Sequence, residues 1–312
     1  MTGPDLLAGR ERALRSLELS VKRKLEGFLH GEITGLLSGP GSEPNEARPY
    51  QAGQDDVRRM DWNVTARSLE PHVRAPLAER ELETWALIDA SASMDFGTAL
   101  SEKRDLAIAV VGAVGLLADR PGNTLGVRVA VGNQVRRIPA VGGSAALRRT
   151  FRTLLSLPRA TPGEHPETDL ATAITRLNRE HPRPGLRVVV SDFHSSDWGD
   201  ALRRLGARHE VIAVEVLDPR ELELPEVGLL TVVDPETGRR REVQTSSKKL
   251  RRRYADAMEA HRERTAQAIR ASGAAHLVLR TDTDWVRDVA AFASARKRAA
   301  ARRTPRGRTG IR

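Results

Sequence analysis

Hydrophobic and polar positions follow one rhythm over most of the chain. Short runs of strand length fall at residues 84–89, 125–131, 134–139, 187–191, 210–216 and 276–279, all but 134–139 mainly apolar. Between them lie helix-length stretches at 102–118, 144–156, 168–180, 197–206, 246–272 and 284–295. Strands alternating with helices in this way predict βαβ units. The expected fold class is therefore α/β, with a doubly wound, mostly parallel sheet, helices on both faces and right-handed crossovers. Gly132-Asn133 between the second and third runs predicts a tight hairpin turn. In the long stretch 246–272, Leu250, Tyr254, Met258, His261 and Ile269 share one face.

The rhythm breaks in three places. Within residues 219–245, runs at 229–233 and 240–244 flank Pro235-Glu236-Thr237-Gly238, which predicts a β-hairpin inserted into the domain. Ahead of the sheet, Leu14, Leu17, Val21, Leu25 and Phe28 recur at helical spacing over residues 7–29. A loop rich in Gly, Pro, Ser and Asn follows at 38–45. Residues 47–82 are then dense in Arg, Asp and Glu, and short strands in irregular structure are expected there. After residue 295, Ala, Arg, Pro and Gly dominate and predict disorder. The expected organisation is an N-terminal segment over 1–82, the α/β domain over 83–295 and a basic tail over 296–312.

Hydrophobic residues make up 39% of the 312-residue chain and aromatics only 4%. The interior must be built mostly from Val, Leu, Ile and Ala, which suits a helix-covered parallel sheet. The net charge of +10 points at nucleic acid until its distribution is read. Residues 289–312 carry eight Arg or Lys and no acid, so the basicity belongs mainly to the tail. An Arg-rich tail binds phosphate without sequence preference, which keeps nucleic-acid association as an alternative function. The absence of cysteine excludes disulfides, zinc–thiolate sites and cysteine nucleophiles. The longest apolar run, 106–118, is shorter than the roughly 20 residues of a membrane span. The N-terminal residues mix charges and lack a signal-peptide core. A cytoplasmic protein without a membrane span is expected.

Candidate chemistry gathers at the ends of two apolar runs. Asp89-Ala-Ser91-Ala-Ser93-Met94 follows the first, and Val188-Val189-Val190-Ser191-Asp192 ends another with a second acid. In open α/β sheets, ligands bind outside the carboxyl ends of strands. Asp-x-Ser-x-Ser offers one carboxylate and two hydroxyls, an all-oxygen set that suits Mg²⁺ or Mn²⁺. The same residues also make ordinary turns and helix N-caps. Pro166-Glu167-Thr168-Asp169-Leu170 opens a helix and adds a Thr hydroxyl, again open to a capping role.

Taken together, the three segments resemble the von Willebrand factor A domain and its metal-ion-dependent adhesion site, or MIDAS. That resemblance implies one divalent ion held by Ser91 and Ser93 directly, by Thr168 directly or through water, and by Asp89 and Asp192 largely through water. It also implies that a Glu or Asp of a partner protein fills the open position.

A second, longer resemblance covers roughly residues 47–245. Arg48-Pro49-Tyr50-Gln51-Ala52-Gly53-Gln54-Asp55-Asp56-Val57-Arg58-Arg59-Met60-Asp61-Trp62-Asn63-Val64-Thr65-Ala66-Arg67 is similar to the signature of the DUF58 family. So are Glu79-Arg80-Glu81-Leu82, Asp218-Pro219 and Glu223-Leu224-Pro225. Gln54 stands between Gly53 and Asp55, where the family pattern runs Gly-Asp-Asp. The two transmembrane helices that many relatives carry before the signature have no counterpart here. This resemblance implies a MoxR-type AAA+ ATPase as partner, in protein maturation or complex remodelling. The charged residues of the signature are expected to pair with one another, and Trp62 to pack its ring.

The expected function is a non-enzymatic, metal-dependent protein-interaction module. A Mg²⁺-dependent phosphate-ester hydrolase with Asp89 as nucleophile is the other alternative. Such enzymes want a second acid two residues on, where this chain has Ser91.

Overall fold

A computed structural model describes residues 47–53, 55–68, 70–74, 82–117, 122–159 and 168–303. The predicted helix at 7–29 and the loop at 38–45 lie outside the described residues. The chain divides into two compact units, Ser38–Glu81 and the remainder.

In the smaller unit, β1 (Ala47–Pro49) and β2 (His72–Arg74) pair antiparallel. Between them lie a 3-10 turn at Val57–Arg59 and helix α1 (Trp62–Ser68). The helix was not expected. It starts because Asp61 accepts from the backbone N–H groups of Asn63 and Val64, which caps the first turn. Asp56 caps the 3-10 turn by accepting from Arg58 N, and Asp55 accepts from Gln51 N. These acids therefore organise the backbone, a role beyond the expected ion pairing. Trp62 is 67% exposed, so its expected packing does not occur.

The larger unit follows the predicted rhythm closely. In chain order it runs β3 (Glu83–Asp89), α2 (Lys103–Leu117), β4 (Thr124–Val131), β5 (Gln134–Val141), α3 (Ser144–Leu155) and α4 (Leu170–Glu180). It continues with β6 (Leu186–Ser191), α5 (Trp198–Gly206), β7 (Glu210–Leu217), a short α6 (Pro219–Leu222), β8 (Leu229–Val233) and β9 (Arg240–Gln244). It closes with α7 (Lys248–Ala271), β10 (Ala275–Arg280) and α8 (Trp285–Arg303). Helix α8 runs well past residue 295, where the basic tail was expected to begin.

Six strands form one sheet in the order β10-β7-β6-β3-β4-β5. All neighbours are parallel except β5, which turns back on β4 at Gly132 (φ 53°). Such a φ is cheap for glycine and strained for other residues. Alternate residues of each strand serve opposite faces. Ala86, Ile88, Val188, Val190, Ile212 and Val214 pack with α2, α3 and α8. Trp85, Leu87, Val189, Val211 and Ala213 pack with α4, α5 and Ile269 of α7. Both faces are covered, as predicted. The N-terminal half of α7 is less enclosed than its apolar pattern implied, with Leu250 37% exposed. Strands β8 and β9 form the inserted hairpin as a separate two-stranded sheet. Among the described residues, no helix is long and apolar enough to cross a membrane.

Candidate metal centre

Strand β3 begins the sheet near its middle, and later strands add first on one side and then on the other. The order therefore reverses between β3 and β6, which is where a doubly wound sheet leaves a crevice at its carboxyl edge. Asp89 ends β3, Ser191 ends β6, and Asp192 follows directly. The two candidate carboxylates thus stand on either side of the reversal point.

The loop after β3 is tied inward. Asp89 Oδ1 accepts from Ser91 N at 3.0 Å, and Asp89 Oδ2 accepts from Ser191 Oγ at 2.7 Å. The Ser91 and Ser93 hydroxyls lie 3.0 Å apart. Ser91 stands at the N-cap of the 3-10 turn Ala92–Asp95, yet its side chain makes no capping hydrogen bond. Capping alone therefore does not account for this serine pair.

Across the crevice, Phe193 takes φ 55°, an uncommon conformation for a bulky residue. It is held there by full burial, by an edge contact with Trp198 and by its N–H bond to Ser191 Oγ at 2.9 Å. This bend directs the chain just after Asp192. Thr168 is also buried, but its Oγ1 accepts from Gly132 N at 3.0 Å. Among the described residues it bonds to none of the other four. Helix α4 is capped by Asp169, which accepts from Thr172 N at 2.8 Å, so Thr168 is not spent on capping. The structure joins Asp89, Ser91, Ser93 and Asp192 and anchors Thr168 at the neighbouring β4–β5 turn.

Three further residues stand at the candidate centre. Lys103, in the first turn of α2, donates to Asp192 Oδ2 at 2.8 Å and to Glu221 Oε1 at 2.5 Å. Its side chain is wholly buried. Glu221 is placed by a capping box around α6, whose Asp218 accepts from Arg220 N, Thr98 Oγ1 and Thr281 Oγ1. His194 is exposed at the rim, stacked on His261 with ring centroids 5.2 Å apart. Ligand atoms of Asp192, His194 and Glu221 lie within 4.8 Å of one another, a group that could hold a metal ion. A signal for Glu221 was present as Asp218 with Glu221 three positions on. A buried lysine has no comparable mark.

The electrostatics of the cluster follow from burial. Desolvation, and next the nearby Asp192 charge, push Asp89 up to about 6 against the hydrogen bonds from Ser191 and Ser91. Desolvation would raise Asp192 as well. The Lys103 ammonium, His194 and hydrogen bonds from Lys103 and Ser93 instead hold it well below the usual carboxylate range. Burial raises Glu221 despite Lys103. Asp192 and Glu221 share the Lys103 ammonium, with Asp89 close to Asp192, so carboxylates outnumber the ammonium. That excess and the surrounding hydroxyls suit a hard dication with oxygen ligands.

A family model described as "Protein of unknown function DUF58" matches residues 46–264. The chain is 50% identical over 289 residues to the uncharacterized protein Rv1480 of Mycobacterium tuberculosis, covering 92% of this chain and 90% of that one. It is 44% identical over 165 residues to the uncharacterized protein MAV169 of Mycobacterium avium, covering 53% and 96%. Among solved structures it is similar to BatB of Bacteroides thetaiotaomicron, with 14% identity, 70% and 99% coverage and a TM-score of 0.41. It is also similar to a von Willebrand factor type A protein of Catenulispora acidiphila, with 11% identity, 72% and 43% coverage and a TM-score of 0.35. The chain belongs to the DUF58 family, and its larger unit is an α/β domain built on one mostly parallel six-stranded sheet.

Proposed function

We propose that this protein is a non-enzymatic, metal-dependent protein-interaction module. Asp89, Ser91, Ser93, Thr168 and Asp192 would hold Mg²⁺ or Mn²⁺, and an acidic residue of a protein partner would complete its coordination. The observation that carries this reading is the cluster at the sheet's reversal point. There a Ser–Ser hydroxyl pair and two strand-end acids meet with negative charge in excess. When bound, a dication would supply charge and an open site for a carboxylate oxygen. The residues around it would fix where that carboxylate can enter.

A hydrolytic role for Asp89 as nucleophile has less support, because the position two residues on, where such enzymes want a second acid, is Ser91.

The test is Mn²⁺ binding followed by electron paramagnetic resonance, with the Asp89→Ala and Ser93→Ala variants beside wild type. Saturable binding that weakens at least tenfold in both variants is expected. Absence of binding by the wild type at millimolar Mn²⁺ would sink the proposal. The family resemblance points to a MoxR-type AAA+ ATPase as partner. Pull-down of the cognate ATPase with Mg²⁺ and with EDTA tests that step, and equal recovery in both would rule out a metal-dependent contact.

A further inference from the structure

The inserted hairpin carries an acid to the metal loop. Glu236, in the turn between β8 and β9, accepts from Ser93 N through its Oε1 at 3.2 Å, across 143 residues of sequence. Ser93 is the second hydroxyl of the Asp-x-Ser-x-Ser loop. The insertion therefore ends at the candidate centre.

The turn is built to hold that acid in place. Asp234 Oδ1 accepts from Glu236 N at 3.0 Å and from Thr237 N at 3.3 Å, and its Oδ2 accepts from Thr237 Oγ1 at 2.6 Å. Gly238 N donates to Asp234 O at 2.8 Å, and Gly238 takes φ 68° to close the turn. The bonds fix the backbone on both sides of Glu236, so less of the turn is left to order when its side chain engages the loop.

The destination is a centre that is already acidic. Asp89 is tied to the end of β6 through Ser191 Oγ at 2.7 Å, Asp192 is the next residue, and Glu221 shares the Lys103 ammonium with Asp192. A fourth carboxylate at this rim is unfavourable on its own and favourable beside a dication.

We propose that Glu236 is a built-in ligand of this centre: its carboxylate occupies the place of the partner's acid and must leave before a partner can dock. The inference rests on the metal-binding reading above. The β8–β9 hairpin would then act as a tethered competitor, present at high effective concentration and displaced only by a better-placed carboxylate.

The experiment uses the full chain loaded with Mn²⁺ and compares wild type with Glu236→Gln. Water-proton relaxation reports how many exchangeable waters the ion carries, and hydrogen exchange reports protection of residues 229–244. Acetate is the probe for an incoming carboxylate. In wild type, adding Mn²⁺ should raise protection of the hairpin. In Glu236→Gln, Mn²⁺ should still bind, relaxation should rise by about one water, and acetate should bind at least threefold more tightly. Pro235→Ala, a change beside Glu236 that keeps the acid, should behave as wild type. If Glu236→Gln binds Mn²⁺ with unchanged relaxation, hairpin protection and acetate affinity, the built-in ligand is overturned while the metal centre stands. If wild type binds no Mn²⁺, both readings fall together.

Discussion

Lys103 Nζ donates to Asp192 Oδ2 at 2.8 Å with the two side chains 0% and 2% exposed. An ammonium so placed cannot be balanced by water, and its second partner, Glu221, shares the load at 2.5 Å. Removing one member of a buried pair leaves an uncompensated charge and typically costs about 3–5 kcal/mol.

Lys103→Met should therefore lose about 3 kcal/mol of unfolding free energy. The loss should shrink when millimolar Mg²⁺ or Mn²⁺ is added, because a dication can replace the missing charge among Asp192, Glu221 and Asp89. Urea unfolding with and without metal measures both effects. A variant as stable as wild type under both conditions would show that the ammonium does not balance these acids.

At the opposite edge of the sheet, Trp85 stacks on His181 with ring centroids 3.7 Å apart, and Arg128 Nη2 lies 3.1 Å from His181 Nε2. Arginine only donates, so Nε2 must accept and the ring must be neutral. Burial first, and then Arg128, push His181 down to about 4 from its ordinary 6.5. The unfolded chain binds this proton at a higher pH than the folded one does. Stability is thus fully present above about pH 6.5 and is lost as pH falls toward 4. Between those values wild type should lose up to about 1.4 kcal/mol per pH unit more than His181→Gln. Urea titrations of both proteins at pH 7, 6 and 5 give that difference in slope, and parallel curves would contradict it.

The strand and helix rhythm was legible because both faces of the sheet are covered. Buried strands read as unbroken apolar runs, and the helices between them keep their spacing. The acids Asp89 and Asp192 were legible because each closes such a run. Helix α1 was not, since its seven residues Trp62–Ser68 have no buried side chain and so no amphipathic pattern. It exists through the Asp61 cap. Lys103 and Glu236 were illegible as site residues for another reason. Their roles depend on α2 and the inserted hairpin converging on loops far away in sequence, and nothing local marks that. The trimmed role of Trp62 has the same origin, because exposure is decided by tertiary packing.

Trp62 makes a simple check on that last point. A side chain 67% exposed contributes little burial, so Trp62→Ala should change stability by no more than about 0.5 kcal/mol. Thermal unfolding of the variant measures it. A shift of several degrees would show that the ring is covered in solution.

Thr168 offers a test that separates its structural part from any metal role. Its Oγ1 accepts from the N–H of Gly132, both residues are buried, and the glycine's positive φ fixes the direction of that N–H. Thr168→Val keeps the side-chain shape and removes the acceptor. The stranded buried N–H should cost about 1–3 kcal/mol without metal. Thr168→Ser keeps the hydroxyl and should recover most of that stability. Urea unfolding in EDTA isolates the structural part, and Mn²⁺ binding to the same two variants measures the rest. If Thr168→Ser restores stability and Mn²⁺ affinity while Thr168→Val loses both, one hydroxyl holds the β4–β5 turn and serves the ion. Loss of stability alone in Thr168→Val would confine Thr168 to the turn and remove it from the ligand set.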